Sequence, residues 1–218
     1  MNFWNTTARE FDSLYDTGGR THLFNVVFRQ GLFQRTEQTC DVVRRLGSPS
    51  VLDVGCGSGR NMPPLLAAGA SHIAGIDSAE NMLDLADGLL KSAGLRDRVE
   101  FILSDFLTAA IDTKFDLVVA LGVFDYLHEE LPQFLIKMRE CAKTGVVFSA
   151  PGRSLLRMPL RAWRYKRHGV RVHFYRRADL EALCRAAGFQ NFSIARLRSS
   201  GFLVTAWTDV TPADRAAQ

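Results

Sequence analysis

Residues 51–59, reading V-L-D-V-G-C-G-S-G, constrain this chain more than any other stretch. The apolar Val51, Leu52 and Val54 read as a short buried strand. Asp53 lies inside that strand, near its end. Glycine then takes every second position, at Gly55, Gly57 and Gly59. This lets the backbone turn tightly and approach a ligand with no Cβ in the way. Residues 61–69 read as a helix with Pro63 and Pro64 in its first turn, where proline is tolerated. Strand, glycine turn and helix N-terminus together form the nucleotide-cofactor crevice of an open α/β sheet. Spacing narrows the cofactor. A dinucleotide fingerprint needs glycine at position 60, which is Arg60, and the G-K-[ST] ending of a phosphate loop is absent. Asp53 would repel a pyrophosphate and suits a ligand that carries positive charge.

This glycine loop with its preceding Asp53 resembles motif I of the class I S-adenosylmethionine-dependent methyltransferases. The resemblance implies that Asp53, Gly55, Cys56 and Gly57 receive the amino-acid end of that cofactor. Cys56 is a small residue that also simply fits the loop. Residues 72–76 (H-I-A-G-I) form a second strand ending at Asp77. A carboxylate at that tip can grip a ribose diol through two hydrogen bonds, with Ser78 beside it. Residues 99–103 (V-E-F-I-L) form a third strand, followed by Ser104, Asp105 and Phe106. By resemblance Asp105 accepts from the adenine amino group and Phe106 lines the cofactor. An Asp at a loop start also makes Asx-turns. Residues 79–93 read as a helix whose Met82 resembles the apolar residue under the adenine, although core packing explains Met82 as well.

Residues 115–121 (F-D-L-V-V-A-L) make a fourth strand, apolar enough to be buried on both faces. It ends at Leu121, another expected cofactor neighbour. The following Phe124, Asp125, Tyr126 and His128 stand where a methyl group would meet its acceptor. Asp125, Tyr126 and His128 are the candidates to orient the acceptor or take its proton, and Phe124 to touch it. Asp125 could instead cap the next helix, and a lone His is commonly a surface residue.

The chain of 218 residues is long enough to bury a core without disulfides or metal. No apolar run approaches the ~20 residues of a membrane span, and the N-terminus lacks a secretion-signal pattern. Cys40, Cys56, Cys141 and Cys184 form no C-x-x-C pair. That speaks against a zinc site and for a reduced, cytoplasmic setting.

One domain with five parts is expected. Residues 1–49 precede the sheet, with a helix over 21–46. The resemblance makes this block a lid over the cleft, with Phe11, Tyr15 and Arg20 as candidate ligand contacts, although core packing is the favoured explanation of the aromatics. Residues 50–150 are the cofactor half, closing with a strand over 145–149. Residues 178–208 read as a helix and then two strands, 192–197 and 202–207, joined by a short link that makes a hairpin. Residues 209–218 form a tail. The fold class is therefore α/β. A seven-stranded, mostly parallel sheet ends in an antiparallel hairpin and carries helices on both faces, with an N-terminal helical lid and a basic insertion after the fifth strand.

That insertion, residues 151–177, holds nine Lys or Arg and no Asp or Glu. The whole chain is +4, so the remainder is −5 and the basic character is local. Arg153, Arg157, Arg161 and Arg164 share one helical face by their spacing. A cap recognising a carboxylate or phosphate is the favoured reading, with Arg153 and Arg157 as its candidates. An anionic lipid surface comes second and a nucleic-acid track third. A merely solvated face stays open, because charge runs often mean no more than that.

The expected activity is methyl transfer by in-line displacement to an O or N atom of a small molecule. No [DNS]-P-P-[FYW] tetrapeptide follows the fourth strand, which disfavours amino methylation of bases. An RNA or protein methyltransferase that docks through the basic segment is the alternative. A non-catalytic scaffold or regulatory partner with the same fold is the alternative of another class.

Overall fold

The computed structural model describes residues 22–127, 129–153, 173–198 and 201–208. The expectations for Phe11, Tyr15, Arg20, His128 and Arg157 fall outside these residues. In chain order the elements are α1 His22–Leu46, β1 Ser50–Val54, α2 Met62–Ala67, β2 His72–Asp77, α3 Glu80–Ser92, a 3₁₀ turn at Arg96–Arg98 and β3 Val99–Leu103. They continue with β4 Phe115–Ala120, α4 Leu131–Cys141, β5 Ala142–Ala150, α5 Arg177–Ala186, β6 Asn191–Arg196 and β7 Phe202–Trp207. The strands form a single seven-stranded sheet in the order β3-β2-β1-β4-β5-β7-β6. The pairs β1–β2, β1–β4, β2–β3 and β4–β5 are parallel. β7 runs antiparallel to both β5 and β6. The expected hairpin therefore inserts its second strand, not its first, next to β5.

Alternation along the strands splits the core in two. Leu52, Val54, Val118, Ala120, Val146 and Phe148 pack with Phe134, Leu135 and Met138 of α4 and Leu180 and Cys184 of α5. Val51, Ile73, Leu117, Val119 and Val147 pack on the other face, with Val42 and Val43 of α1, Met62 and Leu65 of α2, and Leu83 and Leu90 of α3. Every residue of β1 is buried, as a central parallel strand covered on both faces requires. β5 begins at Ala142, immediately after α4, three residues earlier than the sequence suggests. The helix has no separate stop signal, and Cys141 and Ala142 are both buried. Among the described residues, no helix is long and apolar enough to cross a membrane.

The strand order reverses between β1 and β4, which leave the sheet in opposite lateral directions. A crevice opens at such a switch point, beyond the carboxyl ends of the strands. The glycine loop after β1 and the loop after β4 meet there. A Cβ built on Gly55 would lie 2.5 Å from Val123 Cγ2.

Candidate active site

Asp53 is the penultimate residue of β1, opposite Gly75 of β2 and Val119 of β4. It is 1% exposed, and its Oδ2 has no hydrogen-bond partner. Burial, followed by the charge of Asp77, pushes its carboxyl up to about 7, and the Arg35 guanidinium pulls it back down. A buried acceptor left unsatisfied costs about 1–3 kcal/mol, and more when charged. The fold thus stores a carboxylate that a cationic donor would satisfy.

Above it the loop is shaped by backbone geometry. Gly55, Gly57 and Gly59 all have positive φ, at 65°, 54° and 72°. The N–H groups of Gly55 and Cys56 donate to Ile76 O at 2.8 and 3.2 Å, which ties the loop to the end of β2. A Cβ on Gly57 would meet nothing within 4 Å, so this residue faces open space. Cys56 turns the other way. It is buried, and its Sγ lies 3.0 Å from where a Cβ on Gly75 would stand. Burial raises its thiol well above the ordinary range, so its side chain is packing and only its backbone faces the loop.

Asp77 closes the next side. Its Oδ2 accepts from the Gly57 N–H at 2.8 Å, and its Oδ1 from the Ala79 N–H at 3.0 Å. The carboxylate, which also accepts from the Ser78 backbone, keeps its remaining lone-pair capacity for a hydroxyl. Burial raises its carboxyl, opposed by hydrogen bonds from the Ala79, Gly57 and Ser78 backbone. Ser78 is exposed beside it. Met82 packs with Ala79 and Leu85 in a small cluster separate from both main cores. Asp105 is exposed, and its Oδ1 accepts from the Leu107 N–H at 2.8 Å. The Asx-turn is thus present, with Oδ2 still available.

With this geometry in view, the comparisons with known proteins are specific. The profile of the methyltransferase domain family matches residues 31–194. The chain belongs to that family. The enzyme is 32% identical over 110 residues to the tRNA U34 carboxymethyltransferase of Shewanella piezotolerans, covering 50% of this chain and 33% of that protein. The matched stretch is thus about a third of the length of that curated relative. In solved structures it is similar to magnesium protoporphyrin IX methyltransferase from Synechocystis PCC 6803 with bound SAH. There the TM-score is 0.78 at 21% identity, over 95% of this chain and 97% of that one. It is also similar to the DhpI–SAH complex, with TM-score 0.70 at 17% identity, over 94% and 93%. These likenesses establish the fold, a seven-stranded Rossmann-like sheet with the antiparallel hairpin. The family implies S-adenosylmethionine as methyl donor, and the residues fit it. A buried Asp53 oxygen without a partner suits an amino-acid ammonium, a Cβ-free opening lies at Gly57, and the Asp77 carboxylate at the tip of β2 suits a ribose hydroxyl.

The enzyme's second loop, after β4, is built from both faces of the sheet. Gly122 has φ +90°, and a Cβ there would stand 3.0 Å from a guanidinium nitrogen of Arg35. Its N–H donates to Ser149 Oγ of β5 at 2.8 Å. Arg35 therefore lies against the β4 loop while its charge also acts on Asp53. Leu121 is buried in the α1–α3 core layer. Phe124, expected to touch the acceptor, is instead wholly buried. It stacks on Phe148 at 4.2 Å and meets Phe134 edge-on at 5.8 Å, so its ring belongs to the core. Phe106 is likewise buried, 4.8 Å from Phe134. Asp125 is buried and Tyr126 partly exposed, side by side on the loop. Arg153 is exposed.

Sequence reasoning missed Arg35, Ser149 and Tyr175. The Tyr175 hydroxyl donates to Phe124 O at 3.3 Å and Leu127 O at 3.2 Å. The His173 N–H donates to Asp125 O at 3.1 Å. Tyr175 N–H donates to Pro151 O at 2.8 Å, and Arg153 N–H to Tyr175 O at 3.2 Å. Residues 151–153 and 173–175 are therefore pinned to each other, and the latter to the loop after β4. Burial, then the nearby Asp125 charge, pushes the Tyr175 phenol up to about 12, so it stays a donor. No linear pattern couples residue 35 to 122 or 175 to 124.

Proposed function

We propose that this enzyme transfers the methyl group of S-adenosylmethionine to an oxygen or nitrogen atom of a small-molecule acceptor, with an acidic acceptor favoured. One observation carries the cofactor half of this reading: the buried Asp53 carboxylate, whose Oδ2 has no partner, at the end of the strand that leads into the open glycine loop. When bound, the cofactor supplies a methyl on a sulfonium, with a neutral thioether as leaving group. Asp53 accepts from its ammonium, and Arg35 donates to its carboxylate. Asp77 takes the ribose hydroxyls, Met82 packs on the base, and Asp105 accepts from the adenine amino group. The protein's main contribution is alignment, worth up to ~7–11 kcal/mol in favourable cases. A proton need be removed only from an alcohol, phenol or ammonium acceptor. Asp125 and Tyr126 stand where that proton would leave.

The acidic acceptor is supported by the pinning of the basic segment. One end, residues 173–175, docks on residues 124–127, and the other, residues 151–153, pairs with Tyr175, so its arginines are tethered in sequence to the acceptor loop. The test is calorimetric titration with S-adenosylhomocysteine, followed by an acceptor screen that begins with carboxylates and phosphates. Wild type should bind in the micromolar range, and Asp77→Ala should lose at least about tenfold, the worth of charge-assisted hydrogen bonds. Absence of binding by wild type overturns the reading.

The tRNA-modifying relative supports a second reading, in which the basic segment docks an RNA. Its mark would be polynucleotide binding that weakens steeply with salt, with a log–log slope near −0.7 per phosphate contacted on a single strand.

A further inference from the structure

The loop after β3 carries Asp105 without a helix or strand to hold it, yet it is clamped from an unexpected direction. Lys137, on α4, donates from Nζ to Leu107 O at 2.9 Å and to Ala109 O at 2.6 Å. The same ammonium lies 5.3 Å from the centre of the Phe106 ring. One turn earlier on α4, Phe134 packs against that ring at 4.8 Å. Residues 134 and 137 share a helical face, so α4 grips the loop at two adjacent points. The Leu107 peptide is the link. Its carbonyl is held by Lys137, and its N–H donates to Asp105 Oδ1 at 2.8 Å. Asp105 O in turn accepts from the N–H groups of Thr108 and Ala109 at 3.2 and 2.9 Å. Ser104 N–H ties the loop's start to Asp77 O at 3.1 Å.

We propose that Lys137 is a positioning residue for the base-recognising end of the cofactor cleft: it fixes the Leu107 peptide, and that peptide aims the Asp105 carboxylate. The inference rests on the reading of Asp105 given under Proposed function. A lysine ammonium has three donors and no acceptor. It can therefore satisfy two carbonyls of an irregular loop at once, where a leucine or methionine would only pack. A carboxylate discriminates an amino group from a carbonyl only when its oxygen is held in place, because a free one rotates to water. Lys137 touches no ligand in this scheme. It acts through the loop.

The test is the ratio of affinities for S-adenosylhomocysteine and S-inosylhomocysteine, which differ only at the C6–N1 edge of the base: the 6-amino group becomes a 6-oxo group and N1 gains a proton. Wild type should prefer the adenine compound by about tenfold or more, the worth of one hydrogen bond to a charged group. Lys137→Met should reduce that preference to about twofold or less, and Lys137→Arg should keep most of it. In an Asp105→Ala background, Lys137→Met should leave the ratio unchanged, because the two residues act as one unit. A Lys137→Met protein that binds both ligands more weakly but keeps the wild-type ratio overturns the proposal and makes Lys137 merely structural. If that variant does not fold, Lys137→Gln is read in its place. A wild type that binds both ligands equally overturns the base-recognition role of Asp105 and this inference with it. A wild type that binds neither overturns the functional reading itself.

Discussion

Asp53 offers the sharpest test, because its effect on stability and its effect on binding have opposite signs. Its carboxyl is raised from 3.8 to about 7, mainly by burial and then by the charge of Asp77. Between those values the unfolded chain has released the proton and the folded chain still holds it. Folding therefore loses stability as pH rises through that window. The loss is absent below about pH 4, grows to about pH 7 and is complete above it. At about 1.4 kcal/mol per pH unit, its full size is about 4 kcal/mol. Asp53→Asn removes this dependence. Its buried amide adds a constant penalty of about 1–3 kcal/mol if left unpaired, which does not change the slope. The assay is urea unfolding of ligand-free wild type and variant at intervals from pH 4.5 to 8.5. The variant should gain on wild type by about 3–4 kcal/mol across that range. Wild-type affinity for S-adenosylhomocysteine should rise with pH up to about 7 and then level, since the ligand's ammonium selects the ionised carboxylate. The variant should show neither the rise nor tight binding. Parallel stability curves for the two proteins would refute the reasoning.

Two glycines of one loop should fail in different ways. Gly57→Ala meets no neighbour within 4 Å and carries only the left-handed backbone cost of about 1–2 kcal/mol. It should fold with a melting temperature a few degrees lower and lose at least about tenfold in cofactor affinity, because its methyl enters the opening. Gly55→Ala would drive a Cβ to 2.5 Å from Val123 Cγ2 and should destabilise more, with Val123→Ala restoring part of the loss in the double variant. Tyr175→Phe removes the hydroxyl shared by Phe124 O and Leu127 O. It should cost about 1–2 kcal/mol in urea unfolding and raise KM for the acceptor while leaving S-adenosylhomocysteine affinity unchanged.

The strand and glycine turn of residues 51–59, and the positions of Asp77 and Asp105 at the ends of β2 and β3, were legible because their signals are local. A strand end, a glycine turn and a loop carboxylate are each written in a few consecutive residues. The order of apolar strands and the closing hairpin likewise announced an open sheet with an antiparallel end. Boundaries were less legible where no turn residue marks them, as at the α4–β5 junction. The burial of the Phe106 and Phe124 rings was not legible, since a sequence places a residue beside a loop but not above or below the sheet. Phe134 and Phe148 decide that, and they lie on α4 and β5.

The sequence by itself determined the fold class, the family and the cofactor of this protein, because the strand, glycine turn and helix that mark them are consecutive in the chain. Only the tertiary structure decided which partners complete it. Arg35 reaches Gly122 across 87 positions and lies against the loop after β4 while acting on Asp53. Tyr175 roots the basic segment on the loop after β4, and Lys137 holds the loop of Asp105. Each of these contacts exists because parallel strands bring distant loops to one edge of the sheet. Their partners are set by strand order and helix packing, which no short window of sequence encodes.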